Sequence, residues 1–136
     1  MHHTDMPDWF LRLTVPSDPR FVEAVCELAG FVADETRYTH DEAVEIRQAV
    51  DWTVRRAVGA SAGDGRGIEV WFQKRDQALQ ISVRFAAASH AAGVTADSPE
   101  DLERGWDHVS RLMNRVEISR KEDSIVCRMS CRLPSL

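Results

Sequence analysis

Ile68-Glu69-Val70-Trp71-Phe72-Gln73 and, after a short polar turn, Leu79-Gln80-Ile81-Ser82-Val83-Arg84-Phe85 decide the reading of the chain. Ile68, Val70 and Phe72 alternate with Glu69, Trp71 and Gln73, and Leu79, Ile81, Val83 and Phe85 alternate with Gln80, Ser82 and Arg84. Successive strand side chains point to opposite faces, so this period of two predicts an antiparallel hairpin with one greasy and one wet face. A greasy sheet face needs a cover, and the flanking sequence supplies it as helices.

Upstream, Ser61-Ala62-Gly63-Asp64-Gly65-Arg66-Gly67 reads as a flexible connector. Before it, Thr39 and Glu42 form a T-x-x-E capping box, and Ala43, Ile46, Val50, Thr53 and Ala57 share one face of a helix that runs to Gly59. Earlier still, Ser17-Asp18 supplies an N-cap oxygen and Pro19 suits the first helical position, with Phe21, Val25, Leu28 and Val32 recurring at helical spacing. Leu11-Arg12-Leu13-Thr14-Val15 alternates as a strand and Pro16 stops it. Downstream, 86–96 is small and weakly patterned, a loop, and Ser98-Pro99-Glu100 opens a third helix carrying Leu102, Trp106, Val109, Leu112, Met113 and Val116. Val116-Glu117-Ile118-Ser119 is read as a strand turning through Arg120 to Asp123 into another, where Ile125, Cys127, Met129, Cys131 and Leu133 share a face. The expected order is β-α-α-β-β-α-β-β, an α+β two-layer sandwich with helices on one face of one antiparallel sheet. Residues 1–8 form a polar leader and 9–136 a single domain.

A chain of 136 residues, 43% hydrophobic and 29% charged, suits one domain with its own core and excludes a disordered or fibrous class. No apolar run approaches the roughly 20 residues of a membrane span, and no signal-peptide pattern opens the chain, so a cytoplasmic location is expected. A net charge of -5 does not favour nucleic acid or anionic lipid as partner. Cys26, Cys127 and Cys131 make no C-x-x-C pair and read as core thiols. Four residues of strand hold Cys127 and Cys131 about 13 Å apart, beyond disulfide reach. His40, His90 and His108 are scattered and no metal-ligand spacing occurs, so no metal site is expected. Ser61, Ser89 and Ser110 lie in no G-x-S-x-G frame.

With the element order in hand, three stretches resemble the bacterial anti-sigma-factor serine kinases of the GHKL (histidine-kinase-like, Bergerat-type) ATPase superfamily. They are Thr14-Val15-Pro16-Ser17-Asp18-Pro19, Tyr38-Thr39-His40-Asp41-Glu42 through Gln48-Ala49-Val50, and Gly105-Trp106 through Leu112-Met113-Asn114-Arg115-Val116. The resemblance spans nearly the whole chain. It implies a GHKL fold and a bacterial protein of transcription regulation and stress response, partnered by a sigma factor or an anti-sigma antagonist. Members of that family bind ATP and phosphorylate a serine of an antagonist protein.

Each of the family's three nucleotide boxes is altered here. The helix-two box, E-A-x-x-N-A in the family, supplies a catalytic base and a magnesium ligand. It reads Trp52-Thr53-Val54-Arg55-Arg56-Ala57, with Trp52 on the Glu position and Arg56 on the Asn position. An indole has no basic oxygen and a guanidinium repels a metal cation. Asp51 is one residue away, which turns it about 100° around the helix. The adenine-binding Asp is replaced by Phe85-Ala86-Ala87-Ala88, and of the glycines of the phosphate box only Gly105 remains, in Glu103-Arg104-Gly105-Trp106. The resemblance therefore implies a pseudo-kinase that needs no ATP or magnesium and acts by contact with a sigma factor or antagonist, or through a homodimer. The alternative is an ATP- and magnesium-dependent serine kinase with a rearranged site; a third reading is a small-molecule sensor whose cleft is lined by Phe85, Trp106 and Trp52.

Two surface groups are candidates for partner contact. Trp52 and Arg56 lie at i and i+4, off the core stripe of their helix, as an aromatic and cationic patch, and Arg55 is a further candidate for partner contact. Trp and Arg are enriched among interface hot spots, and the same pair would also fill the space of a lost nucleotide. Arg12, Arg84, Arg128 and Arg132 fall on the polar face of their strands with Trp71. That face is read as a partner surface, a dimer contact, a nucleic-acid surface, or a solvated charged face.

Overall fold

The computed structural model describes residues 8–36, 38–61, 65–86 and 115–132. Five strands, β1 (Trp9–Val15), β2 (Ile68–Arg75), β3 (Ala78–Ala86), β4 (Arg115–Lys121) and β5 (Ser124–Arg132), form one sheet in the order β1-β2-β3-β5-β4. Every neighbouring pair is antiparallel. Two helices, α1 (Val22–Asp34) and α2 (His40–Ala60), lie between β1 and β2 in the chain. This is the α+β layering that the alternation predicts. Of the expected loop 86–96, Ala86 instead ends β3, paired with Ser124, and the rest lies outside the described residues, as do the expected third helix with Gly105 and Trp106 and Leu133.

The period-two reading of the central hairpin holds except at Ser82, which is buried although it stands on the outer face. Ile68, Val70 and Phe72 of β2 and Leu79, Ile81, Val83 and Phe85 of β3 are buried, and β5 adds Ile125, Cys127, Met129 and Cys131 to the same face. From above, α1 contributes Val25, Ala29 and Val32, and α2 contributes Ile46, Val50, Val54 and Ala57. All of these belong to one apolar cluster. At about 25 cal/mol per Å² of apolar surface removed from water, this burial is the main drive for folding.

The helix ends follow the chemistry of their caps. Thr39 accepts from the Glu42 amide at 3.1 Å while the Glu42 carboxylate accepts from the Thr39 amide at 2.8 Å, the reciprocal box expected from T-x-x-E. At the first helix the expectation needs correction. Asp18 caps a single 3-10 turn, Pro19–Phe21, accepting from the Arg20 amide at 2.9 Å, and α1 begins only at Val22. The Arg20 guanidinium also binds that carboxylate and holds it below the usual Asp range. The tail of α1 is closed by Thr36, whose hydroxyl donates to the Val32 and Ala33 carbonyls, each at 3.0 Å.

One turn also differs from expectation. The last hairpin does not turn from Arg120; β4 continues through Lys121 because Arg120 pairs with Ile125 and Lys121 with Ser124. The turn contracts to Glu122 and Asp123, with Glu122 at φ 55°. The connector before β2 ends at Gly67 with φ 78°, where a Cβ would lie 2.7 Å from the Val15 carbonyl oxygen. Only glycine allows that close pass between β1 and β2.

Candidate functional site

The flank of α2 is oriented by the residue beside it. Thr53 faces the sheet: its hydroxyl donates to the Ala49 carbonyl at 2.8 Å and approaches the Met129 sulfur of β5 at 3.8 Å. Trp52 therefore lies about 100° to one side. It is half-buried and rests against the core. Arg56, one turn on, is exposed and lies over the indole with its guanidinium carbon 4.8 Å from the ring centroid. That is well inside the distance at which a cation is held by an indole quadrupole.

Arg55 does not join this stack. Its Nε donates to Asp51 Oδ1 at 2.9 Å on the neighbouring flank, which faces α1. The same carboxylate accepts from the Cys26 thiol at 3.6 Å. The sequence grouping of Trp52, Arg55 and Arg56 thus separates into two flanks, an aromatic–cation stack and an acid–base pair. A recess of about 350 Å³ lined by Glu23, Cys26, Val44, Arg47, Gln48 and Asp51 runs along the second flank. Burial, and then the Asp51 charge, push the Cys26 thiol up to about 12, so it is no nucleophile at neutral pH. Cys127 is likewise raised to about 12 by burial alone. All three cysteines are buried and none is in a disulfide, as core thiols should be.

Phe85 sits at the end of β3 with 2% of its surface exposed and belongs to the core cluster, and Ala86 beside it is 5% exposed. A recess of about 220 Å³ that touches Phe85 is lined by Thr14, Arg66, Gly67, Glu69, Arg84, Ala86 and Ser124. Trp106 and Gly105 lie outside the described residues. Among the described residues no three His, Cys, Asp or Glu side chains are gathered as a metal site would require.

The outer face of the sheet is the second candidate. Arg12, Trp71, Ser82, Arg128 and Glu117 stand opposite one another across all five strands, and Phe10, Gln73, Gln80, Ser130 and Arg115 form the adjoining row. Glu69, Arg84 and Val126 continue the face on the other side, and Arg75, Arg132 and Lys121 complete its basic side chains. The face is not a bare field of arginines, and here the sequence reading missed a feature. Glu69 bridges Arg12 at 3.0 Å and Arg84 at 3.3 Å, and Glu117 bridges Arg115 at 2.8 Å and Arg128 at 3.8 Å. Alternation put Glu69 on this side; the long reach of two arginines toward one carboxylate has no local signature. Arg12 also lies 5.9 Å from the Trp71 ring centroid. Between these groups a hollow of about 250 Å³ is walled by Phe10, Trp71 and Val126 and edged by Gln73, Gln80, Arg84 and Arg128.

No family model and no curated protein matches the chain. Among solved structures it is similar to the crystal structure of the RsbU and RsbW domains of Rv1364c from Mycobacterium tuberculosis, with TM-score 0.66 and 16% identity over 94% of this chain. The chain spans 33% of that protein's length. The likeness is one of fold, a five-stranded antiparallel sheet with two helices on one face.

Proposed function

We propose that the protein is an anti-sigma-factor-like regulator that acts by binding another protein, with a degenerate nucleotide site and no kinase activity. The observation that carries this reading is the Arg56 guanidinium lying 4.8 Å over the Trp52 ring. These two side chains hold the positions where the resemblance implies a catalytic carboxylate and a magnesium-binding amide. Phosphoryl transfer depends almost wholly on positioning and on neutralising phosphate charge. A fixed cation and an indole at those positions supply no oxygen to a metal and no base to a hydroxyl. The donor set does not fit magnesium-nucleotide.

The likeness to a structure containing an RsbW domain supports a regulatory role through protein contact. The exposed Arg56 and the half-buried Trp52 suit such contact, since Trp and Arg anchors carry much of the energy of known interfaces. Isothermal titration of the full chain with magnesium-ATP tests the reading. No measurable heat is expected, and a micromolar dissociation constant overturns it. Transfer of labelled phosphate from ATP to a serine of an anti-sigma antagonist would establish the kinase instead.

A further inference from the structure

We infer that the outer face of the sheet is a docking surface for an acidic segment of a partner protein that also carries an apolar side chain. The surface lies on the opposite side of the sheet from α1 and α2, so the inference stands apart from the fate of the nucleotide site. Among the described residues the face bears seven basic side chains (Arg12, Arg75, Arg84, Arg115, Lys121, Arg128 and Arg132) against the two carboxylates Glu69 and Glu117. The whole chain, by contrast, has a net charge of -5. Charge is therefore segregated, and the sheet face is the part of the molecule whose potential suits an acidic ligand.

The chemistry of the face narrows the occupant. A guanidinium has five N–H donors, and one carboxylate contact uses at most two of them. Arg84 and Arg128, whose side chains are 51% and 48% exposed, can thus receive a partner carboxylate beside Glu69 and Glu117. The 250 Å³ hollow between them is apolar on the Phe10, Trp71 and Val126 side, and Phe10 is 55% exposed. Leaving that ring in water is unfavourable, and an apolar side chain inserted there removes it. Carboxylates on the arginines and an apolar residue in the hollow match one acidic peptide segment.

Two other occupants fit less well. A second copy docked face to face by a two-fold axis would set basic rows against basic rows. Single-stranded nucleic acid asks for open aromatic platforms, and the Trp71 ring already faces Arg12 at 5.9 Å. The charge of the whole chain also opposes a long polyanion.

The test uses the full chain without nucleotide and fluorescence anisotropy with three labelled probes: a peptide of alternating glutamate and leucine, its lysine and leucine counterpart, and a thymidine oligonucleotide of the same length. The glutamate peptide should bind, weaken as salt rises, and lose about tenfold in affinity with Arg84→Gln and Arg128→Gln combined. Arg20→Gln, in the turn before α1, should leave it unchanged, and a melting curve checks that the paired variant is folded. Equal binding of the lysine peptide, no binding of the glutamate peptide, or no effect of the paired substitution overturns the inference. Tighter binding of the oligonucleotide reassigns the face to nucleic acid, and a dimer by sedimentation that the paired substitution dissociates reassigns it to a second copy; either outcome also overturns it.

Discussion

Phe72 and Trp71 are consecutive aromatic residues of β2, yet Phe72 is 0% exposed beneath the helices while Trp71 stands part-exposed among arginines. The difference is general along the central strands. The inner face is closed by α1 and α2 with apolar side chains from three strands, and it specifies the fold. The outer face carries charge, amides and one open ring, groups that a fold does not need in such number. Residues of one strand thus divide by parity into those that hold the molecule together and those available to a partner.

The largest effect should come from Phe72→Ala. Truncating a fully buried phenylalanine typically costs about 3–5 kcal/mol, and urea denaturation should show a loss in that range. Trp71→Ala should cost no more than about 1 kcal/mol in the same assay, since only partial burial and the contact with Arg12 are lost. Equal losses would break the comparison, because the outer face would then be behaving as core.

Alkaline pH examines the inner face from another side. Burial raises the Cys127 thiol to about 12 from an ordinary value of 9.0. The folded state therefore keeps its proton while the unfolded state releases it. Stability is whole below about pH 9 and falls between about 9 and 12, by about 1.4 kcal/mol per pH unit for each such thiol. Cys26, also raised to about 12, adds to the slope. Urea midpoints measured from pH 8 to pH 11 should decline, and Cys127→Ala should flatten the decline. A pH-independent midpoint would mean that the thiol has solvent on its side of the sheet.

Gly67 governs which parity faces which layer, because it starts β2 against the end of β1. Alanine there meets both a φ of 78° and the Val15 carbonyl oxygen at 2.7 Å. Gly67→Ala should cost roughly 1–3 kcal/mol. A one-residue slip of β2, the other response open to the chain, would exchange its two faces and expose Phe72. Amide exchange in β1 and β2 separates local strain from a slip.

Much of this architecture was legible because its signals are local. The alternation from Ile68 to Phe85, the Thr39–Glu42 box and the Asp18 cap each act within a few residues. What stayed hidden depends on partners distant in sequence. Nothing near Ser124 says that β5, not β4, lies beside β3. Glu69 gathers Arg12 from one neighbouring strand and Arg84 from the other, a convergence that only the finished sheet creates. On α2, one residue of helix turns Arg55 about 100° from Arg56 and toward Asp51.

That separation yields the smallest and most diagnostic expectation. Arg56→Ala removes an exposed guanidinium from the Trp52 ring and should cost only about 0.5–1 kcal/mol. Arg55→Ala removes an exposed i,i+4 pair with Asp51 and should cost about 0.3–0.5 kcal/mol. Because the two arginines sit on different flanks, one against Asp51 and the other over Trp52, their effects should add within about 0.5 kcal/mol in the double variant. Strong coupling would show that the two flanks form one surface after all, and would return Arg55 to the stack as part of a single patch for a partner. Additivity leaves Trp52 and Arg56 as the unit of α2 whose replacement should alter partner binding, with the fold left standing.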